Sequence, residues 1–225
     1  MIEKSIIIDF DNTIGYFDQI IYLFNIIEKI LNIKLNNNDI FLLLDNYPFV
    51  FRPKIFEIFN MINMHKTNKN IKYFILYTCN NNSIFVEKII SYIEFKLKYS
   101  LFDYTLFNKN KIKNIEFIQN NTCNNININS ILCFIDNKFF KYKNSNIKYI
   151  KCEEYIFNYK LEEILLLFPY NKFNIYKKDI QQYFELIYKK KKKKKKNNIQ
   201  LPRKSYEINT NYIMHTLHSF CDDLL

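Results

Sequence analysis

The sequence predicts an α/β protein: a Rossmann-like parallel sheet with helices on both faces. Three observations carry this. Short β-branched runs alternate with stretches whose apolar residues recur at helical spacing. Two of those runs, Ser5–Asp9 and Ile131–Asp136, end in an aspartate. The chain has 225 residues, 48% of them hydrophobic and 18% aromatic, which supplies a core for one full domain plus an extension.

Ser5 to Asp9 reads as a buried strand. Phe17, Ile20, Ile21, Phe24 and Leu31 mark one face of a helix. Pro53 opens a second helix through Ile55, Phe56, Phe59 and Ile62, with proline in the first turn. Lys72 to Tyr77 is the next strand. Val86, Ile90, Ile93 and Leu97 follow at helical spacing, with Ser83 as the N-cap. Leu101 to Phe107, Ile131 to Ile135 and Ile147 to Ile150 are further strands. Phe157, Leu161, Ile164, Leu165 and Phe168 mark a late helix. Tyr176, Ile180, Tyr183, Phe184 and Ile187 mark an amphipathic helix that runs into eight consecutive lysines, Lys189 to Lys196. Ile213, Leu217, Phe220 and Leu224 give a last helical stripe. The expected division is a catalytic-type domain over 1–170, the amphipathic helix and lysine run over 171–196, and a polar tail over 197–225 that is either disordered or docked.

Charge and composition narrow the function classes. The net charge is +11, and removing the eight lysines of Lys189–Lys196 leaves +3. The body is nearly balanced, so it is not itself a basic nucleic-acid-binding surface. The lysine run reads first as a solvated tract, and otherwise as a nucleic-acid or nuclear-import patch or a contact for an anionic surface. Five widely spaced cysteines form no CxxC pair, which points away from a disulfide framework or zinc ribbon and toward a reducing compartment. No apolar run reaches the ~18 residues of a membrane span, and the N-terminus lacks a signal-peptide layout. An intracellular, cytoplasmic or nuclear protein is expected. Gly15 is the single glycine, so turns needing positive φ must use other residues, asparagine first.

In a parallel sheet, ligands bind beyond the carboxyl ends of the strands. The residues standing there are Asp9 and Asp11, then Thr78, then Asp136 and Asn137. Any one of them is ordinary loop polarity; together they point to a site. Asp9-Phe-Asp-Asn-Thr13 fits the DxDxT signature of the haloacid dehalogenase superfamily. Within it the chain resembles the phosphatases related to the RNA polymerase II C-terminal-domain phosphatases and to NLI-interacting factor. Three more stretches carry the resemblance. "FRPKIFEIF" (Phe51–Phe59) is similar to the family's RPG segment. "FILYTCNN" (Phe74–Asn81) and "ILCFIDN" (Ile131–Asn137) are similar to its later strands. It covers roughly residues 1–170, and chains of this build with a basic extension also occur in large DNA viruses, which would place the protein in an infected host cell.

The resemblance implies a small or absent cap and a Mg2+-dependent phosphomonoester hydrolase, probed first as a protein Ser/Thr phosphatase with a phosphoprotein partner. Asp9 would be the nucleophile, Asp11 the general acid and base, and Thr78 a phosphoryl ligand. Asp9, Asp11 through its backbone carbonyl, Asp136 and Asn137 would hold the metal. A lysine would neutralise the phosphate; Lys109, Lys111 and Lys113 are the candidates, with Lys113 preferred. The alternatives are the same chemistry on a nucleic-acid 3′-phosphate or nucleotide, and a non-catalytic nucleic-acid-binding protein using the lysine run. Lys54 replaces the family's glycine, and Lys138 and Phe139 replace its Ser-Pro. Arg52 reads as either a substrate contact or a structural arginine. His65 reads as a surface residue and Cys79 as packing. His215, His218, Cys221 and Asp222 have a metal-compatible helical spacing, but without a second ligand pair the spacing assigns nothing.

Overall fold

A computed structural model of the chain describes residues 3–108, 114–122, 126, 130–138, 146–192 and 200–222, with the backbone alone for 186–192. The elements run β1 (Lys4–Ile8), α1 (Asp18–Leu31), α2 (Asn37–Asn46), a 3-10 turn (Pro48–Val50), α3 (Ile55–Thr67), β2 (Tyr73–Thr78) and α4 (Ser83–Leu97). They continue with β3 (Tyr104–Phe107), α5 (Ile115–Asn121), β4 (Ile131–Asp136), β5 (Ile147–Lys151), α6 (Leu161–Leu167), α7 (Tyr170–Phe173), α8 (Lys177–Lys192) and α9 (Arg203–Asp222).

The five strands form one all-parallel sheet in the order β3-β2-β1-β4-β5, flanked by helices. Ile6 in the central strand lies between Phe74 of β2 and Cys133 of β4. Strands so enclosed are covered on both faces, which is why they read as unbroken apolar runs rather than alternating ones. Ile7, Ile75, Tyr77, Leu106, Ile118 and Phe134 share one core cluster. The chain builds outward from β1 to β3, then returns to the other side of β1 for β4 and β5. The gap between β1 and β4 is therefore the topological switch point, where such sheets leave a crevice at their carboxyl edge.

The chain forms two compact units, both discontinuous in sequence. A sheet unit comprises Met1–Gly15, Arg52–Tyr155 and Pro202–Leu225; a helical unit comprises Tyr16–Phe51 and Ile156–Leu201. In the helical unit, α8 packs against α1 and α6. Ile20, Leu23, Phe24 and Ile27 give α1 its buried face. The buried Gln19 amide spans Tyr159, accepting from its N–H at 2.7 Å and donating to its carbonyl at 3.0 Å. In the sheet unit, α9 packs against α3. Lys189–Lys192 continue α8, and Lys193–Lys196 lie outside the described residues. No helix among the described residues is long and apolar enough to cross a membrane.

Local details depart from the sequence expectations for physical reasons. The late helix starts at Leu161 rather than Phe157, because the Asn158 and Tyr159 amides donate to Gln200 and Gln19 side chains instead of entering a helix. The cap of α4 is Asn82, whose side chain accepts from Phe85 N at 3.2 Å; Ser83 is the first helical residue. α2 carries an unbroken apolar run, Ile40–Leu44, without the spacing that marks a helix in the sequence, but Asn36 and Asp39 close a capping box at its start. Pro53 precedes α3 instead of opening it, since Lys54 sits at φ 59°, ψ 15°. That is the left-handed region, where a lysine, unlike the glycine of the resembling proteins, is not conformationally neutral. Among the described residues Asn12, Asn32 and Asn174 take positive φ as expected, but so do Lys54, Lys69 and Lys98.

Candidate active site

β1, β2 and β4 end on the same edge because they are parallel and in register. Asp9 follows β1 directly, and its N–H extends the ladder to Ile135 O at 2.9 Å. Asp136 is the last residue of β4. Both carboxylates are buried, a costly placement unless polar partners meet them. Those partners are present. Thr13 Oγ1 donates to Asp9 Oδ2 at 3.1 Å. Lys138 N donates to Asp136 Oδ1 at 2.8 Å, closing a turn that brings Asn137 back over the strand ends.

The Asn137 amide faces both carboxylates. With its nitrogen turned inward it donates to Asp136 Oδ1 and Asp9 Oδ2, each at 3.2 Å. With its oxygen inward, three oxygens crowd together, an arrangement that a cation makes favourable. Thr13 Oγ1 lies 3.4 Å from the same amide atom. Two carboxylates and an amide at this spacing are a hard-oxygen donor set of the kind that suits Mg2+. The residues therefore fit a divalent cation at this position.

Asp11 stands two residues beyond Asp9 in a tight loop. Asn12 adopts φ 62°, and its N–H donates to Gly15 O at 2.9 Å. The Asn80 amide donates to both Asp11 carboxylate oxygens, at 2.9 and 3.1 Å. Thr78 is 0% exposed, and its hydroxyl oxygen accepts from Asn80 N at 3.0 Å. Thr78 thus shapes the turn that delivers Asn80 to Asp11. The sequence assigned no role to Asn80 or Thr13. The signals were there: Thr13 closes the DxDxT pattern, and Asn80 stands two residues past a strand exit.

Arg52 is the foundation of the loop. It is 2% exposed. Its guanidinium donates to Thr13 O at 2.6 Å, to Asn12 O at 3.0 Å, to Glu153 O, and to Asn209 Oδ1 of α9 at 3.2 Å. Tyr155 lies under it at 5.5 Å, and Tyr155 N donates to Asn12 O at 2.8 Å. Burial lowers its pKa from the usual arginine value, yet the side chain stays a cation held by carbonyl dipoles. The open choice between substrate contact and structural arginine resolves to the structural one. Cys152 lies 3.8 Å from Thr13 Oγ1, and burial pushes its thiol up to about 11, so it is no nucleophile.

Asp9, Asp136 and Asn137 are joined directly, Asp11 is held by Asn80, and Thr78 connects through the Asn80 backbone. Lys109, Lys111 and Lys113 lie outside the described residues. The neighbour of Lys113, Asn114, caps α5 and donates its N–H to Tyr77 OH at 3.2 Å. His65, read from sequence as a surface residue, is 2% exposed: it lies on the side of α3 that α9 covers. No family model, curated protein or solved structure matches the chain.

Proposed function

We propose that the chain is a Mg2+-dependent phosphomonoester hydrolase of haloacid dehalogenase type, acting through an aspartyl-phosphate. The observation that supports it most is the meeting of Asp9, Thr13, Asp136 and Asn137 at the switch point, with Asp11 two residues along. Asp9, Asp136, Asn137 and the backbone carbonyl of Asp11 would hold the ion, which when bound offsets the repulsion between carboxylate and phosphate.

Thr13 donates to Asp9 Oδ2 and so helps fix the plane of the carboxylate. An Asp9 oxygen attacks phosphorus, the P–O bond to the alcohol breaks, and Asp11 gives its proton to the departing alkoxide. A water then attacks the aspartyl-phosphate while Asp11 takes its proton. Phosphate leaves and Asp9 is restored. Asn80 positions Asp11 by donating to its carboxylate. Lys113 is proposed to neutralise the phosphate.

A phosphoserine or phosphothreonine protein is the first substrate to test. The lysine run at the end of α8 favours a second reading, a nucleic-acid 3′-phosphate. Turnover of p-nitrophenyl phosphate with Mg2+, lost in Asp9→Asn, tests the chemistry; equal turnover by both proteins refutes it. Phosphopeptide against 3′-phosphorylated oligonucleotide at two salt concentrations then separates the substrates.

A further inference from the structure

α3 and α9 lie side by side and run in the same direction. Just before α3, Lys54 Nζ donates to Asn211 Oδ1 at 3.1 Å and Arg52 donates to Asn209, both near the middle of α9. Eleven residues on, about 17 Å along the helix, the last turn of α3 brings His65 to the end of α9. There His65, His218 and Asp222 place one potential ligand atom each within 4.8 Å of one another. We propose that these three side chains form a Zn2+ site that clips α9 to α3, separate from the carboxylate cluster and independent of the phosphatase reading.

The chemistry of the three groups supports a borderline-soft ion rather than Mg2+. Two imidazoles and one carboxylate are a ligand set that three-ligand Zn2+ sites use, with water in the fourth position. His218 and Asp222 stand one helical turn apart and already meet, Nδ1 to Oδ2, at 2.5 Å. His65 Nδ1 lies 3.7 Å from Asp222 Oδ1. The His218 and Asp222 side chains are 57% and 49% exposed, so an ion can enter and water can reach it. Tetrahedral Zn2+ with bonds of about 2.0–2.1 Å separates its ligand atoms by about 3.4 Å. The widest separation must therefore close by about 1 Å and the His218–Asp222 pair open by about 1 Å, which rotation of the two exposed side chains supplies.

His65 is the anomalous member. A buried imidazole should have both nitrogens satisfied, yet its Nε2 has no hydrogen-bond partner among the described residues. Its Nδ1 meets the Asn70 amide at 3.2 Å. Burial lowers its pKa below the ordinary histidine value, against the opposing pull of Asp222. The alternative is that the cluster is a simple His218–Asp222 ion pair with the His65 ring edge-on at 5.2 Å. Cys221, a candidate from sequence spacing, is not a member: it is buried, and burial pushes its thiol up to about 12.

The experiment titrates the full chain with Co2+, read by the visible absorption of four-coordinate cobalt, and then displaces it with Zn2+. The expected result is one equivalent of four-coordinate ion, unchanged in Asp9→Asn and bound at least tenfold more weakly by His218→Ala and by Asp222→Asn. Both substitutions are at exposed positions, so the fold survives them. Zn2+ held near a hundred times its dissociation constant should raise the melting midpoint by about 5–10 °C in the full chain and not in either variant. Absence of the cobalt band, or its persistence in His218→Ala, overturns the proposal.

Discussion

The two units bury different things. Among the described residues, the helical unit buries Gln19 and Asp39 as its polar side chains, and both are spent on backbone groups: Gln19 on Tyr159, Asp39 on the cap of α2. The sheet unit buries Asp9, Thr13, Arg52, His65, Thr78, Asn108 and Asp136 among others. Buried polar groups cost stability unless each finds its partners. Within the sheet unit, Asp9, Thr13, Thr78 and Asp136 meet at one strand edge, a placement that stability alone does not favour. The helical unit follows the cheaper rule, apolar inside with polar groups used as caps and ties.

This contrast is open to direct attack. The largest effect is expected at Asp9→Asn, which should lower kcat by about a thousandfold or more while the melting midpoint stays put. A large loss of midpoint instead would make Asp9 part of the scaffold. Next comes Arg52→Met. It strands the carbonyls of Thr13 and Glu153 and leaves Asn12 O with the Tyr155 N–H, so denaturant unfolding should show a loss of about 3–5 kcal/mol. The retained protein should also turn over more slowly, because the loop carrying Asp11 loses its support.

Gln19→Leu probes the other unit. It removes both hydrogen bonds to the Tyr159 backbone and should cost about 1–3 kcal/mol with turnover per folded molecule unchanged. Loss of turnover without loss of stability there would end the division of labour between the units. The smallest effect is expected at Lys54→Gly. Relief of the left-handed backbone should stabilise by about 0.5–1 kcal/mol, partly offset by the lost contact to Asn211. A destabilised variant would show that the Asn211 contact outweighs the backbone.

Much of the sheet was legible. β2 and β4 are nearly continuous apolar runs of six residues and β1 ends in three isoleucines, a signature of strands buried on both faces. Strand ends were legible too, because Asp9 and Asp136 interrupt those runs. Arg52, His65 and Asn80 were not. Each has an environment made by residues far along the chain: Arg52 by Glu153 and Asn209, His65 by His218 and Asp222, Asn80 by Asp11. The α4 cap was misplaced by one residue because Asn82 and Ser83 are both good caps, and only the backbone angle at the helix start chooses between them.

By itself, then, the sequence determined the α/β class, the strands and the polar residues at their exits, since periodicity and burial are local properties of the chain. Only the tertiary structure decided that Tyr16–Phe51 joins Ile156–Leu201, that α9 returns to α3, and that Asn137 closes over Asp9 and Asp136. Those outcomes depend on contacts between segments up to two hundred residues apart, such as Lys4 Nζ to Phe220 O at 2.9 Å. No window of neighbouring residues encodes such pairings; they are selected by the packing and hydrogen-bond satisfaction of the whole chain.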